Sequence, residues 1–390
     1  MLPIVVAAVT TILSLAGLGY YLLALWSARN FQHQLRRALP DFQPGVSILK
    51  PVKGLDPEMY SSFASHCVQQ YQGPYEILFG VSSMEDPAVS AIERLKEEFP
   101  QRTIRLVLCP ELLGTNGKVS NLTQMLSSAQ YDYILINDSD IKVSPRYLQR
   151  IMSGFQLVKR RGGRVGMVTA LYRGQAHGSV GSRMEALGIA TDFIAGVLTA
   201  RQLEDGIRFG LGSTLAVSRQ ALEAIGGLEP LVDYLADDYE LGARIWRNGF
   251  EVVLSGEVVD TFLPAYSFSQ FLAHQIRWSR STRDSRKLGY AGLMFTYGLP
   301  WAICNLIASG ASLSSIALLS LTLLARVALA LAVGVGVLGD RQVLRDLWLL
   351  PARDMVALGI WIWSYAGNTV AWRGQHFSLK DGKMSRLTAI

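Results

Sequence analysis

The sequence predicts an α/β fold with a mostly parallel sheet, flanked by membrane helices. Between Arg29 and Lys287, short apolar runs alternate with helix-like stretches, which is the pattern of βαβ units. Uncharged stretches long enough to cross a bilayer lie on both sides of this region. The composition agrees. Of 390 residues, 50% are hydrophobic and 17% charged, with mean hydropathy +0.24. Soluble domains carry roughly 25% charge, so part of the chain faces lipid. A disordered tail and a fully embedded transporter are both excluded.

Taken in order, residues 1–28 carry no charged side chain, and the basic residues Arg29, Arg36 and Arg37 follow the apolar run. A signal peptide has its positive charge first and a shorter apolar core. The segment therefore reads as a retained anchor, with its N-terminus outside and the chain from Arg29 onward in the cytoplasm. Apolar runs predict strands over 46–50, 76–81, 103–108 and 133–137, with helices over 58–70, 87–98 and 118–129. These elements open a cytoplasmic domain spanning 29–287, whose ligands are expected at the carboxyl ends of its strands. No dinucleotide or P-loop glycine motif is present.

The C-terminal membrane region, 288–390, begins with an uncharged run in which Arg326 is the only charge before Asp340. Two spans turning near Ser309-Gly310 fit it. A charge in mid-span costs at least about 2.5 kcal/mol, so Arg326 must face the helix bundle, a cavity or a lipid head group. The Trp-rich run 355–372 fits a short span, a re-entrant segment or an interfacial helix. A basic tail follows. Cys67, Cys109 and Cys304 lie far apart with no C-x-x-C pair, so they read as reduced thiols rather than a disulfide framework or a zinc site.

Five segments carry possible chemistry. Asp138 and Asp140 directly follow the fourth strand and can share one hard cation, Mg²⁺ or Mn²⁺; a turn with one capping Asp has the same letters. Lys50 and Lys53 after the first strand, with Asp86 after the second, can hold a nucleotide's phosphates and its base or ribose. Asp86-Pro87 equally reads as a helix start. Lys118 lies at the polar entry to a helix, where backbone amides attract anions, and an ordinary loop reads much the same. Asp237 and Asp238 open another helix. One carboxylate can serve as a general base, or both can simply favour the helix dipole. Finally, the segment from His274 through Arg277-Trp278 to Lys287 places arginines at 277, 280, 283 and 286, as in an amphipathic helix on a cytoplasmic leaflet. Basic residues beside spans, rather than interleaved with aromatics, argue against nucleic-acid binding.

In this order, Lys50-Pro-x-Lys-Gly54, Asp86-Pro-Ala88, Asn116-x-Lys-x-x-Asn-Leu122, Asp138-Ser-x-Ile141, Asp237-Asp-Tyr239 and Arg277-Trp278 resemble the ceramide glucosyltransferase family of GT-A glycosyltransferases, and within it a bacterial, hopanoid-associated branch. The resemblance runs from the N-terminal anchor to Trp372-Arg373-Gly374. It implies a cytoplasmic GT-A domain with membrane helices, a multi-pass protein of the bacterial inner membrane. The implied reaction is inverting transfer from a UDP-sugar, carrying N-acetylglucosamine or glucose, to a lipid hydroxyl such as that of a hopanoid polyol. Residue by residue, it places Asp86 near the uridine, Asp138 beside metal and diphosphate, Asp238 as general base, and Arg277 and Trp278 at the diphosphate and acceptor. His274 stands where that last motif usually has Gln or Arg. Ser83 replaces an expected acid, and Asp140 makes a fuller D-x-D than ceramide enzymes show. Together with the unusual stretch 188–212, these departures favour a hopanoid acceptor over ceramide. The alternatives are a ceramide glucosyltransferase, a polysaccharide synthase, which would need more spans, and a non-catalytic membrane scaffold.

Overall fold

In the computed structural model the expected strands form at β1 (Val46–Pro51), β2 (Tyr75–Val81), β3 (Thr103–Leu108) and β4 (Tyr133–Ile136). Residues 2–35, 40–157, 163–372 and 374–387 are described; Arg36, Arg37 and Arg373 lie outside them. Strands β1, β2 and β4 are apolar and buried almost throughout, which suits a parallel sheet covered on both faces. Four further strands, β5 (Ile141–Lys142), β6 (Val165–Gln175), β7 (Leu215–Ser218) and β8 (Glu251–Phe262), complete an eight-stranded sheet. Its order is β3-β2-β1-β4-β7-β6-β8-β5. The first four strands are mutually parallel, β7 runs antiparallel to both β4 and β6, and β6 and β8 are parallel.

The chain divides into two compact units. The sheet unit comprises Ala38–Gln175, Asp205–Phe262 and Gly382–Ile390. In its core Phe63, Ile77, Phe79, Ile92 and Leu95 are fully buried. The helices Met59–Cys67 and Ala88–Glu98 bring Phe63, Ile92 and Leu95 to that core. The helix Gly117–Leu126 seats against β2 at Gly80. A Cβ on Gly80 would lie 2.2 Å from Met125 Sδ, so the Met125 side chain fills the space that glycine leaves over the strand.

The apolar unit comprises Met1–Arg37, Ala176–Glu204 and Leu263–Asp381. Two of its helices are long and apolar enough to cross a membrane, Pro3–Leu35 and Leu313–Val337. The first helix therefore extends past residue 28. It crosses the helix Gly298–Ala308 at a glycine pair, where a Cβ on Gly17 would meet Gly298 Cα at 2.2 Å. Small residues permit such contacts between helices in lipid. Asn305 reinforces the crossing by donating to Ala7 O (2.9 Å) and Thr11 Oγ1 (2.7 Å).

Several membrane expectations change in detail. The expected first span after residue 288 is broken into Lys287–Thr296 and Gly298–Ala308, bent by 52°. The turn after it falls at Gly310 and Ala311, both at positive φ. The 355–372 run is helical only to Ser364, at the end of Leu350–Ser364, and then enters a β-hairpin of Thr369–Trp372 and Gln375–Lys380. The basic helix forms over Phe268–Ser285 behind a Ser267/Gln270 capping box, but not all its arginines face outward. Arg280 donates to Thr369 O, and Arg283 to Ser364 O and, at 3.1 Å, to Gly367 O. A helix C-terminus leaves carbonyls without partners, and Arg283 supplies the donor for Ser364 O at the end of its helix.

Candidate active site

Three motifs of the sheet unit, those of Lys118, Asp138 and Asp237-Asp238, meet at the carboxyl edge of β4, around Lys118. Asn116 caps the Lys118 helix, accepting from Val119 N (3.2 Å), and donates to Tyr234 O (2.8 Å). Thr115 N adds a bond to Asp233 (2.9 Å) and Asn116 N one to Val232 O (2.7 Å). This ladder clamps the loop before Lys118 to the chain just ahead of Asp237. Lys118 Nζ then lies 2.8 Å from Asp138 Oδ1 and 3.5 Å from Asp237 Oδ2. One ammonium thus joins the end of β4 to the start of the helix Asp237–Arg247.

Asp238 sits beside this pair, wrapped by backbone. Gly210 N donates to Asp238 O (3.2 Å), and a Cβ on Gly212 would come within 3.0 Å of Asp238 Oδ2. Gly242, one turn into the helix, lets Gly210 pack against it, since a Cβ there would meet Gly210 N at 2.3 Å. Burial, then the neighbouring Asp237 charge, push the Asp238 carboxyl up to about 6, with Lys118 opposing the rise. For Lys118 the balance runs the other way. Burial would lower it, but Asp138 and Asp237 outweigh that and hold it above the usual lysine range.

Asp140 is held by Thr261 of β8. Burial, then the charge of Asp138, raise its carboxyl to about 6. The two carboxylates of the D-x-D are therefore charge-crowded, an imbalance that a cation relieves. Among the described residues no three His, Cys, Asp or Glu side chains gather into a closed metal cage. Among those residues Asp138 and Asp140 would be only part of a Mg²⁺-type site, in which the remaining oxygens come from phosphate and water. The residues fit an ion shared with a substrate diphosphate.

The lysines after β1 part company. Lys50 is fully buried; it donates to Asp138 O (3.0 Å), and burial lowers it to about 7. In this position it braces the Asp138 loop from beneath. Lys53 is exposed. Beside it Gly54, at φ 72°, donates to both oxygens of Asp86 (3.1 and 3.0 Å). Asp86 also accepts from Ala88 N (3.0 Å), so it caps its helix and ties the β1 and β2 loops together.

His274, Arg277 and Trp278 belong to the apolar unit. His274 Nδ1 lies 3.0 Å from the buried Glu185 carboxylate. Its ring stacks on Tyr266 and touches Trp278, with centroids 5.5 and 5.0 Å away. Sequence reasoning did not single out Asp56, whose carboxylate accepts from Ser139 inside the D-x-D, nor Gly210 and Gly212; Asn116 entered it only as part of the Asn-x-Lys motif, with no role of its own. Asn116 followed by Lys118 at a helix start was the one available signal. The paired glycines, without periodicity around them, gave none.

A model of glycosyl transferase family 21 matches residues 9–385. Ceramide glucosyltransferase 3 of Caenorhabditis elegans is 26% identical over 288 residues, covering 69% of this chain and 59% of that protein. Ceramide glucosyltransferase 1 of the same organism is 26% identical over 212 residues, 54% and 44% of the two chains. The chain thus spans about half the length of these curated relatives. A mannosyltransferase, PcManGT from Pyrobaculum calidifontis, solved with GDP-Man and Mn²⁺, superposes with a TM-score of 0.55 at 20% identity, covering 92% of this chain and 99% of that one. That likeness assigns the fold as GT-A-like. The chain belongs to glycosyl transferase family 21.

Proposed function

We propose that this protein transfers a sugar from a UDP-sugar to a hydroxyl of a membrane lipid, inverting the anomeric centre. The observation that carries this reading is the position of Lys118, whose ammonium gathers Asp138 and Asp237 at one sheet edge with Asp238 alongside. A donor diphosphate needs cations, and an acceptor hydroxyl needs a base. The edge offers both.

In this reading Asp238 accepts the acceptor's proton as the glycosidic bond forms. A carboxylate raised to about 6 is a stronger base than an ordinary one and is still ionised at neutral pH. Asp138 and Asp140 would hold Mg²⁺ or Mn²⁺, which when bound neutralises charge developing on the departing diphosphate. Exposed Lys53 and the Asp86 turn flank the nucleotide, while Lys50 fixes the Asp138 loop from behind. The names of the curated relatives support a sphingolipid-type acceptor, and the unusual stretch 188–212, beside the departures at Ser83 and Asp140, supports a hopanoid polyol; both are lipid alcohols. The apolar helices and the basic residues beside them support a multi-pass protein of the bacterial inner membrane with the sheet unit on the cytoplasmic side.

The test is incubation of the full chain in lipid nanodiscs with radiolabelled UDP-glucose or UDP-N-acetylglucosamine, ceramide and a hopanoid polyol. Solvent-extractable label in lipid is the expected result. Insoluble polymer would point to a synthase. No label together with no UDP binding would leave a scaffold.

A further inference from the structure

The sheet unit holds a buried polar network that the proposed chemistry leaves without a role. Its hub is Asn137, the residue between the end of β4 and Asp138, fully buried together with His66, Tyr147 and Thr214. An amide buried at the end of an apolar strand is costly unless its polar atoms find partners. Here the partners are specific.

The Asn137 backbone continues the sheet, donating from N to Leu49 O of β1 (3.3 Å). Its side chain joins a different segment. Nδ2 donates to Ser213 O (2.7 Å) and to the Tyr147 hydroxyl (2.9 Å), which lies 3.0 Å from Thr214 Oγ1. Ser213 O is a carbonyl and only accepts, so the amide nitrogen must be the atom that faces it. Oδ1 then lies toward His66 Nε2, 3.3 Å away.

The segment held in this way is the one that confines Asp238. Thr214 N closes it into a turn on Leu211 O (3.0 Å), and Thr169 of β6 pins that turn by accepting from Leu211 N (3.0 Å) and donating to Thr214 O (2.7 Å). Within it, Gly210 N donates to Asp238 O and Gly212 lies against the Asp238 carboxylate. One amide thus ties the residue before Asp138 to the residue after Gly212. Asp138 has supports of its own in Lys50 and Lys118; what Asn137 adds is the spacing to the base.

We infer that Asn137 is a positioning residue that sets the distance between Asp138 and Asp238 through its bond to Ser213 in the turn 210–214. The inference rests on the transfer reading above. Transfer requires the acceptor oxygen, placed by the base, to meet an anomeric carbon placed through the diphosphate, and a small error in that spacing costs rate rather than donor affinity.

The experiment uses the full chain in nanodiscs with UDP-sugar, Mn²⁺, ceramide and a hopanoid polyol, and reads kcat, UDP affinity by titration calorimetry and the unfolding midpoint. Asn137→Ala and the shape-preserving Asn137→Asp are each expected to lower kcat by roughly tenfold or more while UDP affinity stays within about twofold. If Asn137→Ala does not fold, Asn137→Asp carries the test. Tyr147→Phe removes a partner of the same amide but leaves the bond to Ser213, so it is expected to lower the midpoint and keep kcat within about twofold of wild type. Asn137→Asp/Gly212→Ala is expected to lose little more than the worse single variant, because both changes displace one turn. Wild-type kcat in the Asn137 variants overturns the inference. So does a kcat loss that Tyr147→Phe matches, the mark of general loosening, or one that multiplies in the double variant, the mark of independent action. A fall in UDP affinity in step with kcat also overturns it, by placing the role at the donor alone. No transfer by wild type overturns the transfer reading, and the inference with it.

Discussion

The two units treat buried charge in opposite ways. In the apolar unit Arg326 and Asp354 are matched one to one, with two bonds between them and the spare guanidinium hydrogens placed on Thr191. At the sheet edge Asp138, Asp237 and Asp238 crowd around the ammonium of Lys118, with Asp140 beside Asp138 and buried Lys50 near both, so that four acids meet two lysines and two of the acids rise to about 6. A balanced pair holds helices together. An unbalanced cluster holds charge in readiness for a ligand that completes it, which is why perturbed acids concentrate at reactive sites.

This contrast predicts that substitutions at the edge act on turnover, whereas those at the pair act on stability. The largest effect is expected from Asp238→Asn. Removing a general base costs about 10²- to 10⁴-fold in turnover, with UDP affinity retained by titration calorimetry. Next comes Arg326→Leu, which strands Asp354 in an apolar setting at a cost of about 3–5 kcal/mol. Thermal unfolding in nanodiscs should show the loss, and Arg326→Leu/Asp354→Leu should recover most of it. Recovery in this double variant is the signature of pairing, and no second substitution should similarly rescue Asp238→Asn.

A smaller effect is expected from pH. The base must be ionised, and its folded pKa is raised to about 6, so activity is full above that value and declines as pH falls through it, approaching tenfold per pH unit below. An ordinary carboxylate would hold activity down to about pH 4. Gly212→Ala should come next. The added Cβ falls 3.0 Å from Asp238 Oδ2, and displacing a reacting group by a few tenths of an ångström is expected to lower turnover by roughly tenfold. Smallest is Asn116→Ala, which loses a helix cap worth about 1 kcal/mol, read as a lowered unfolding midpoint.

Much of the sheet unit was legible in the sequence because its signals are local. Continuous apolar runs marked β1 to β4 to within one or two residues, and the acids and lysines fell at strand ends by simple position. What joins them is not local. The bond from Lys118 to Asp138 and the clamp of Asn116 on Tyr234 link segments 20 to 118 residues apart, and no periodicity records such pairings. The same holds for residues 176–204, read within the soluble domain by their mixed polarity, which pack with the apolar helices. Arg326 could be recognised as needing a partner, since a charge in an apolar helix must be compensated. That the partner was Asp354 required the helix Leu350–Ser364 to be seen folding back against it.

The central claim is that the sheet edge performs base-assisted transfer to a lipid hydroxyl. It is tested most directly by mass spectrometry of lipids extracted from nanodiscs holding wild type or Asp238→Asn, supplied with UDP-sugars, Mn²⁺, ceramide and a hopanoid polyol. The account predicts a lipid heavier by one hexose or N-acetylhexosamine with wild type and almost none with Asp238→Asn. Equal yields of that lipid from both proteins would contradict it.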